Sequence, residues 1–395
     1  MARFANLALA SIALTSLLLG SGFAVGADAS DPEGRHREIF YVGDGNNTVR
    51  RYDAKTGEYL DSSPSPVVAN GVFVFIDPTD GTGAGGLAGP RGMVLDDGRL
   101  LVTNQNVGLP LTSAILEYRR ATGSFKDALV PALSVSDPET PFASRGTMVL
   151  WRDRKLFVPD QFNGDLDCDT NTIPSGRLLV YTKTGEFIAE LTADPSQVPP
   201  EHFHPESVVL GPDGLLYVSS SLNLCPPNLG GQVLRFDPKT FKFKDVFISD
   251  DGGNGHLNRP EGLVFDPPGR RLYVLGFRNN FGDLTDPENT DAIRIYSART
   301  GEFKDKIDLW QVGVEDRAFA AGLVFGPKGK LFVPINGPGS STLLGQVRRY
   351  DVDSKTYEVF VPPPLGSFGG TFPIFENTDP ATLDYDPDDH DDLDH

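Results

Sequence analysis

The sequence is poor in cysteine and in cationic side chains, and each shortage excludes a class of protein. Two cysteines in 395 residues, Cys168 and Cys225, are too few for a scaffold built from disulfides. The 35 Lys and Arg residues are outnumbered by 54 Asp and Glu residues, which gives a net charge of −19. No basic stripe interrupts this acidity, so we expect neither nucleic acid nor an anionic lipid surface as a partner.

Stretches with the apolar period of a helix are almost absent, whereas Gly, Pro and Phe are frequent, at 43, 32 and 26 residues. This composition indicates an all-β protein. The one long apolar run, Leu7 to Leu19, follows an early arginine and precedes small residues ending at Ala29. That pattern is typical of a cleavable secretory signal, which we expect over residues 1–29. No second run approaches spanning length, so we expect no membrane insertion and a secreted or periplasmic protein.

A strand-turn-strand motif recurs along the chain. The segments GPRGMVLDDGRLLVTN, HPESVVLGPDGLLYVSS and RPEGLVFDPPGRRLYVLG begin at residues 89, 204 and 259 and share one order of Pro, polar residue, apolar run, turn and second apolar run. Third and fourth apolar segments follow, separated by turns rich in Asp, Gly and Lys-Thr-Gly that are typical of hairpins. The units recur at intervals of about 55 to 60 residues. Four antiparallel strands repeated in this way predict a β-propeller.

The two ends of the chain supply the number of blades. Residues 37–62 begin at a second strand and lack a first, while residues 379–386 have the pattern of a first strand with no second. Joined in space, the two segments complete one blade. We therefore predict six four-stranded blades over residues 30–386, closed by both termini, and a flexible acidic tail over 387–395. Alternatively, residues 70–77 supply the closing strand, which leaves five or six blades without this lock.

The residues just before the first strands are candidates for a binding site, because in such propellers the first strand lies nearest the axis. This rim position holds Arg91, Gly146, Glu206, Glu261, Ala321 and Ala381. Glu206 and Glu261 lie in adjacent blades, with Arg91 and Arg145 around the ring. Two carboxylates in a low-dielectric mouth either bind a cation or share a proton. Alternatively, each glutamate bonds to a neighbouring backbone or pairs with Arg91.

The segment HFHPE, residues 202–206, places two imidazoles and a carboxylate at alternating positions. In an extended chain His202, His204 and Glu206 share one face, which predicts a site for zinc or another divalent ion. The alternative is that the histidines are ordinary loop residues before Pro205. Glu206, Glu261 and His204 are the candidate catalytic residues.

Asparagines form a second group of candidate binding residues, after the second strands of the units. They are Asn104, Asn106, Asn223, Asn279 and Asn336. With Arg91 and Arg145, we predict that these asparagines contact a ligand. Asparagine also suits left-handed turns that have no functional role.

The repeated units resemble NHL repeats and the related six-bladed propellers of the senescence-marker and gluconolactonase type. The resemblance rests on the pattern Pro-x-Gly-h-x-h-Asp-x-x-Gly-x-h-Tyr-Val, where h is apolar, and it covers most of residues 37–386. It implies a lactonase, a lyase or a plain binding module, with a divalent metal at the channel in the lyases and lactonases. On this resemblance a calcium or zinc site here combines Glu206 or Glu261 with Asn104, Asp160 or Asn223.

Cys168 and Cys225 follow the second strands of consecutive blades, so their loops emerge on the same face. In an exported protein this placement predicts a disulfide between them. Two separately buried thiols, or soft metal ligands, are the alternatives.

These observations favour an exported, monomeric propeller that binds a small or extended ligand at its channel mouth with a divalent ion, calcium or zinc. A metal-assisted lactonase-like hydrolase or lyase is the first alternative. In that enzyme the metal polarises an ester or carbonyl oxygen while Glu206, Glu261 or His204 moves the proton. A non-catalytic scaffold for protein interaction is the second alternative.

Overall fold

The computed structural model describes residues 38–45, 47–61, 68–69, 72–73, 76, 86–106, 112–132, 142–152, 154–161, 168–169, 173–225, 230–250, 256–280, 282–337, 345–363 and 370–376. The helices within these ranges are two short 3-10 turns, Pro200–His202 and Pro327–Gly329. None of these residues belongs to a helix long and apolar enough to cross a membrane. The predicted signal segment, 1–29, and the predicted tail, 387–395, lie outside the described residues.

Nearly all regular structure in these ranges is β-strand. The strands, in chain order, are β1 (Ile39–Asp44), β2 (Thr48–Asp53), β3 (Val68–Ala69), β4 (Val72–Phe73), β5 (Pro90–Asp96), β6 (Arg99–Asn104), β7 (Ala114–Arg119), β8 (Phe125–Val130), β9 (Val149–Trp151), β10 (Lys155–Asp160), β11 (Arg177–Thr182), β12 (Phe187–Leu191), β13 (His204–Leu210), β14 (Leu216–Ser221), β15 (Gly231–Asp237), β16 (Lys242–Ser249), β17 (Pro260–Phe265), β18 (Arg271–Gly276), β19 (Ala292–Ser297), β20 (Phe303–Asp308), β21 (Val324–Phe325), β22 (Leu331–Pro334), β23 (Val347–Asp351), β24 (Thr356–Val361) and β25 (Gly370–Phe375).

The strands form six antiparallel blades arranged in a ring. Blades 2 to 6 are the four-stranded sheets β5–β8, β9–β12, β13–β16, β17–β20 and β21–β24, each a run of consecutive hairpins. Turn chemistry explains the hairpins, as between β17 and β18. There Gly269 takes a φ of 65°, and the Asp266 carboxylate accepts hydrogen bonds from the backbone N–H groups of Arg270 and Arg271 at 2.7 and 2.9 Å.

The core of the ring lies between the blades. Six large apolar clusters fill the six gaps, and each cluster draws its residues from two neighbouring blades. The first strands of neighbouring blades also contact each other, as β13 contacts β17 and β25 contacts β5. The first strand of each blade is therefore the innermost one, as the repeat predicts.

Blade 1 is built from both ends of the propeller and closes the ring. Its sheet has the order β2-β1-β25, and a bridge between Tyr52 and Tyr59 adds a short fourth strand. The predicted ring of six blades closed by the two terminal segments is confirmed. The described residues of the alternative segment, 70–77, do not pair with the inner edge of β1, because β4 pairs with β3 and Ile76 bridges to Val49.

The position of the closing strand differs from the prediction. Gly370–Phe375 occupies the inner edge of β1, whereas residues 379–386 lie outside the described residues. The segment contains Pro373, a residue that argues against a strand, but a proline is tolerated at the edge of a sheet. As a consequence, the rim position of blade 1 belongs to Thr371 and not to Ala381.

Two truncated chains test this closure. A chain ending at Pro363 lacks β25 and with it Ile374 and Phe375, which are buried in the two clusters flanking blade 1. Burial of each such side chain contributes about 2 kcal/mol, and the exposed edge of β1 adds a route to aggregation. We expect this chain to lose its cooperative melting transition.

A chain ending at Glu376 is the matched control. It keeps β25 and the hydrogen bond from the Ile39 amide to the Glu376 carboxylate, at 3.1 Å. Calorimetry should give this chain a melting temperature within a few degrees of the full-length value. Equal losses in both truncated chains would show that the ring is not closed by β25.

Candidate functional site

The rim residues stand on irregularities of the inner strands. The register between first and second strands shifts from Pro90 to Met93, from Pro205 to Ser207 and from Pro260 to Leu263. Arg91, Glu206 and Glu261 lie within these three bulges. A bulge takes a residue out of the alternation of the strand and re-aims its side chain. Large charged side chains can thus stand at an otherwise crowded axis.

Neighbouring blades meet closely at the rim. The Gly92 amide donates to the Gly146 carbonyl at 3.1 Å, and the Gly262 amide donates to the Ala321 carbonyl at 2.8 Å. A Cβ atom on Gly146 would lie 2.0 Å from the carbonyl oxygen of Glu206, so this position requires glycine. The rim of one blade therefore fixes the rim backbone of the next, including that of Glu206.

Glu206 is a buried carboxyl group at the channel mouth with a strongly raised pKa. It is 5% exposed, and the side-chain amide of Gln161 donates to its Oε1 atom. The Oε2 atom is buried without a hydrogen-bond partner among the described residues. Burial and the neighbouring Glu261 raise the pKa of Glu206 to about 8, although Arg145 and Arg259 act in the opposite direction. Glu206 therefore holds a proton near neutral pH.

Glu261 lies beside Glu206 and is surrounded by cationic groups. Burial raises its pKa, while Arg259, Arg91 and Arg145 lower it. An Nη2 atom of Arg259 lies 3.8 Å from Glu261 Oε1. The mouth thus brings together two carboxyl groups and three guanidinium groups.

Two of these guanidinium groups differ in how they are held. The Nε atom of Arg91 donates to Gln105 Oε1 at 2.6 Å, and burial lowers the pKa of Arg91. Arg145 is half-buried and makes no hydrogen bond or ion pair with the described residues. Because Glu206 is protonated near neutral pH, positive charge outweighs negative charge at the mouth.

The predicted face of His202, His204 and Glu206 is interrupted. His202 ends a 3-10 helix that begins at Pro200, because a proline is favourable at the first position of a helix. The His204 ring is fully buried, and its Nδ1 and Nε2 atoms lie 3.2 and 2.9 Å from the backbone carbonyls of Gln161 and Glu201. Burial lowers the pKa of His204, so the ring is neutral and can donate to one of these carbonyls.

Both carboxylate oxygens of Asp160 accept hydrogen bonds from the protein. Oδ1 accepts from the Ala143 amide, and Oδ2 accepts from Nε of Arg177, each at 2.8 Å. Burial raises the pKa of Asp160 to about 6. No group of three or more His, Cys, Asp or Glu side chains in the described part of the chain is placed to hold a metal ion. A divalent metal stays a prediction, and the contacts of Asp160 and His204 do not favour those two as ligands.

The predicted asparagines mostly support loops. Asn104 accepts from the Ala88 amide at 2.7 Å and donates to Asn106 at 2.8 Å. Asn106 in turn has a left-handed φ of 53°. Asn223 accepts from the Cys225 amide at 2.8 Å. Asn279 exchanges hydrogen bonds with Asn289, and Asn336 is half-buried after β22. The role of these residues in ligand binding stays a prediction.

Cys168 and Cys225 form a disulfide, as predicted, with their Cα atoms 5.4 Å apart. The bond joins the loop after β10 to the loop after β14. It thereby ties together two loops on one face of adjacent blades.

The sequence did not identify Gln105, Gln161 or Arg259 as mouth residues. Gln161 follows the end of β10, and Gln105 follows the end of β6, so their place directly after second strands is the signal that would have found them. Arg259 precedes Glu261 by two residues. Its guanidinium returns to the rim because the backbone there has a positive φ of 41°, which the sequence does not reveal.

The raised pKa of Glu206 makes stability depend on pH. The folded protein keeps a proton that the unfolded chain releases between its ordinary pKa of 4.5 and about 8. The stabilisation is complete below the unfolded value and is lost as pH rises through the folded value. In urea unfolding, wild type should lose up to about 1.4 kcal/mol per pH unit over this range relative to Glu206→Gln.

The exposed Glu186 provides a control for this experiment. Glu186→Gln lies in the turn between β11 and β12 and should follow the wild-type pH profile. A wild-type profile parallel to that of Glu206→Gln would show that Glu206 does not hold its proton.

No family model matches this chain, and no curated protein matches it. Among solved structures it is similar to one titled "Structure of Dos1 propeller", with 14% sequence identity and a TM-score of 0.41, over 83% of this chain and 69% of the other. The fold assignment rests on the strand pairing described above. Membership of the NHL-repeat or senescence-marker group stays a prediction.

Proposed function

We propose that the chain is an exported propeller whose channel mouth binds a small carboxylate ligand. The main support is the buried Glu206 Oε2 atom, which has no hydrogen-bond partner among the described residues. Because Oε1 accepts from Gln161, the proton of a neutral Glu206 belongs on Oε2, where it is a donor without an acceptor. An anionic oxygen of a ligand supplies that acceptor.

Arg145 complements this donor. Its charge acts on both Glu206 and Glu261, and its guanidinium makes no hydrogen bond with the described residues. A guanidinium binds a carboxylate through two parallel hydrogen bonds, and such charge-assisted bonds are stronger than neutral ones. A carboxylate ligand would therefore pair with Arg145 and accept the Glu206 proton in a hydrogen bond.

The charge balance of the mouth favours an anion over a divalent cation. Three guanidinium groups face two carboxyl groups, of which Glu206 is neutral near pH 7 because of its raised pKa. A cation there would be repelled by Arg91, Arg145 and Arg259. The donors do not fit a metal, and we derive no step through one.

Two further parts of the proposal have separate support. Export is supported by the Cys168–Cys225 disulfide, because such bonds persist mainly in oxidising compartments, and by the apolar segment near the start of the sequence. Kinship with the NHL-repeat and senescence-marker propellers is supported by the repeated blade motif.

A second candidate function is hydrolysis or elimination at the same mouth. The observation that favours it is the pKa of Glu206, about 8, since a general acid works best with a pKa near the working pH. Glu206 would protonate a leaving group, and Arg145 would stabilise negative charge on the substrate.

Calorimetric titration with acetate and succinate tests carboxylate binding. Arg145→Gln should weaken binding at least about tenfold, because the charge-assisted pair is lost. Arg154→Gln is the matched control, since Arg154 is exposed beside β10 at the end of that strand opposite Asp160. This control should bind as wild type does.

The Glu206→Gln variant separates a carboxylate from a metal. A Gln side chain keeps an amide donor, so the variant should still bind, and its affinity should no longer fall as pH rises through about 8. A metal site would instead lose its ion on this substitution. Wild type that binds neither acid, or Glu206→Gln that loses binding together with a bound divalent ion, would overturn the proposal.

A further inference from the structure

The position two residues before the rim residue differs between blades in its backbone strain. The residues there are Gly89, Ser144, His204, Arg259 and Phe319. Gly89 has a φ of 80°, which glycine adopts at no cost. Arg259 and Phe319 have φ values of 41° and 50°, a left-handed conformation that is a genuine outlier for a bulky side chain. The protein thus keeps an arginine and a phenylalanine where glycine would relieve strain.

The two strained residues belong to one layer of rings and guanidinium groups. The guanidinium of Arg259 lies 5.0 Å from the ring centroid of Phe277, and that of Arg317 lies 4.0 Å from the centroid of Phe319. The Phe277 and Phe319 rings meet edge to face at 6.4 Å. We call Arg259, Phe277, Arg317 and Phe319 the aromatic platform. Phe277 and Phe319 are both half-buried, so each residue is partly accessible to solvent.

A buried carboxylate, Asp291, holds two members of the platform, Arg317 and Phe319. Asp291 is fully buried and accepts from Arg317 Nε and Nη2, at 2.8 and 2.7 Å. It also accepts from the backbone amides of Arg278 and Phe319, at 2.9 and 3.2 Å. Asp291 thereby joins the loop after β18 to the segment before β21. The strain at Phe319 is therefore supported by contacts around it, as is typical of functional sites.

The platform adjoins the channel mouth. Arg259 lies within 3.8 Å of Glu261, and its charge also acts on Glu206. Phe319 precedes the rim residue Ala321 by two positions. A molecule whose carboxylate is held by Arg145 and Glu206 can thus extend past Glu261 to the platform.

The chemistry of the platform selects a flat ring. Guanidinium planes and phenyl rings attract the face or edge of an aromatic ring through its quadrupole, beyond the area that is buried. A saturated ring of equal size has no such quadrupole and gains only from the area that it buries. Resting on the proposed function, we propose that the ligand is an aromatic carboxylic acid, with its carboxylate at the mouth and its ring on the platform.

Titration with phenylacetate, cyclohexylacetate and acetate tests this proposal. Wild type should bind phenylacetate about fivefold more tightly than cyclohexylacetate. Phe319→Gly should lose that preference and leave acetate binding unchanged. Because glycine fits the left-handed backbone, relief of strain offsets part of the packing lost with the ring, and the melting temperature of this variant should fall less than that of Phe319→Leu. Phe319→Leu keeps the strain but removes the aromatic ring, and it should lose the preference as well.

Lys328→Gly is the matched control. Lys328 lies in the same blade with a φ of 62°, but it is exposed in the turn after β21. This variant should relieve the same kind of strain and bind all three acids as wild type does.

The outcomes separate this inference from the proposed function. Acetate binding that depends on Arg145, without any preference for phenylacetate or any effect of Phe319→Gly, would overturn the aromatic ligand and leave the carboxylate site standing. Failure of all three acids to bind wild type would overturn both.

Discussion

The inner strands of neighbouring blades approach each other within hydrogen-bond distance around the axis, and little side-chain volume fits between them. A Cβ atom on Gly92, Gly146 or Gly322 would lie between 2.0 and 2.6 Å from a carbonyl of the next blade. Three bulges of the inner strands each carry a large charged side chain into this ring, namely Arg91, Glu206 and Glu261. The charges at the mouth are therefore crowded by the geometry of the ring. Their desolvation, which raises the pKa of Glu206, follows from the same crowding.

Buried pairs of aspartate and arginine secure the ends of the strands in three places. These pairs are Asp44–Arg50, Asp160–Arg177 and Asp291–Arg317. In each pair the carboxylate also accepts a hydrogen bond from a nearby backbone amide, that of Thr48, Ala143 or Arg278, so the pair fixes both a side chain and a backbone segment. Removing one partner from a buried pair costs about 3 to 5 kcal/mol. These carboxylates support the backbone around them, whereas Glu206 Oε2 has no hydrogen-bond partner among the described residues and is the atom that we propose contacts a ligand.

The sequence predicted the features that depend on repetition and failed where local geometry departs from it. The blade order, the rim position of Glu206 and Glu261 and the cysteine pair all follow from spacing, since equivalent positions of a repeat occupy equivalent places in the ring. The closing strand was misplaced because Pro373 argues against a strand in its segment. A proline is tolerated there because β25 is the inner edge strand of blade 1. The histidine face was predicted from an extended chain, but Pro200 starts a helical turn. Arg259 was missed because a positive φ is not visible in its residue type.

The closure of the ring also sets an order of events. The amide of Ile39 meets the carboxylate of Glu376 across 337 positions of the chain, while the other blades are built from consecutive hairpins. Hairpins close on short loops, whereas contacts between distant residues form late because a long loop must first be ordered. During synthesis, blades 2 to 6 can form as the chain emerges. The inner edge of β1 stays unpaired until β25 has been synthesised. Blade 1, which contains the first strands of the ring, is therefore completed last.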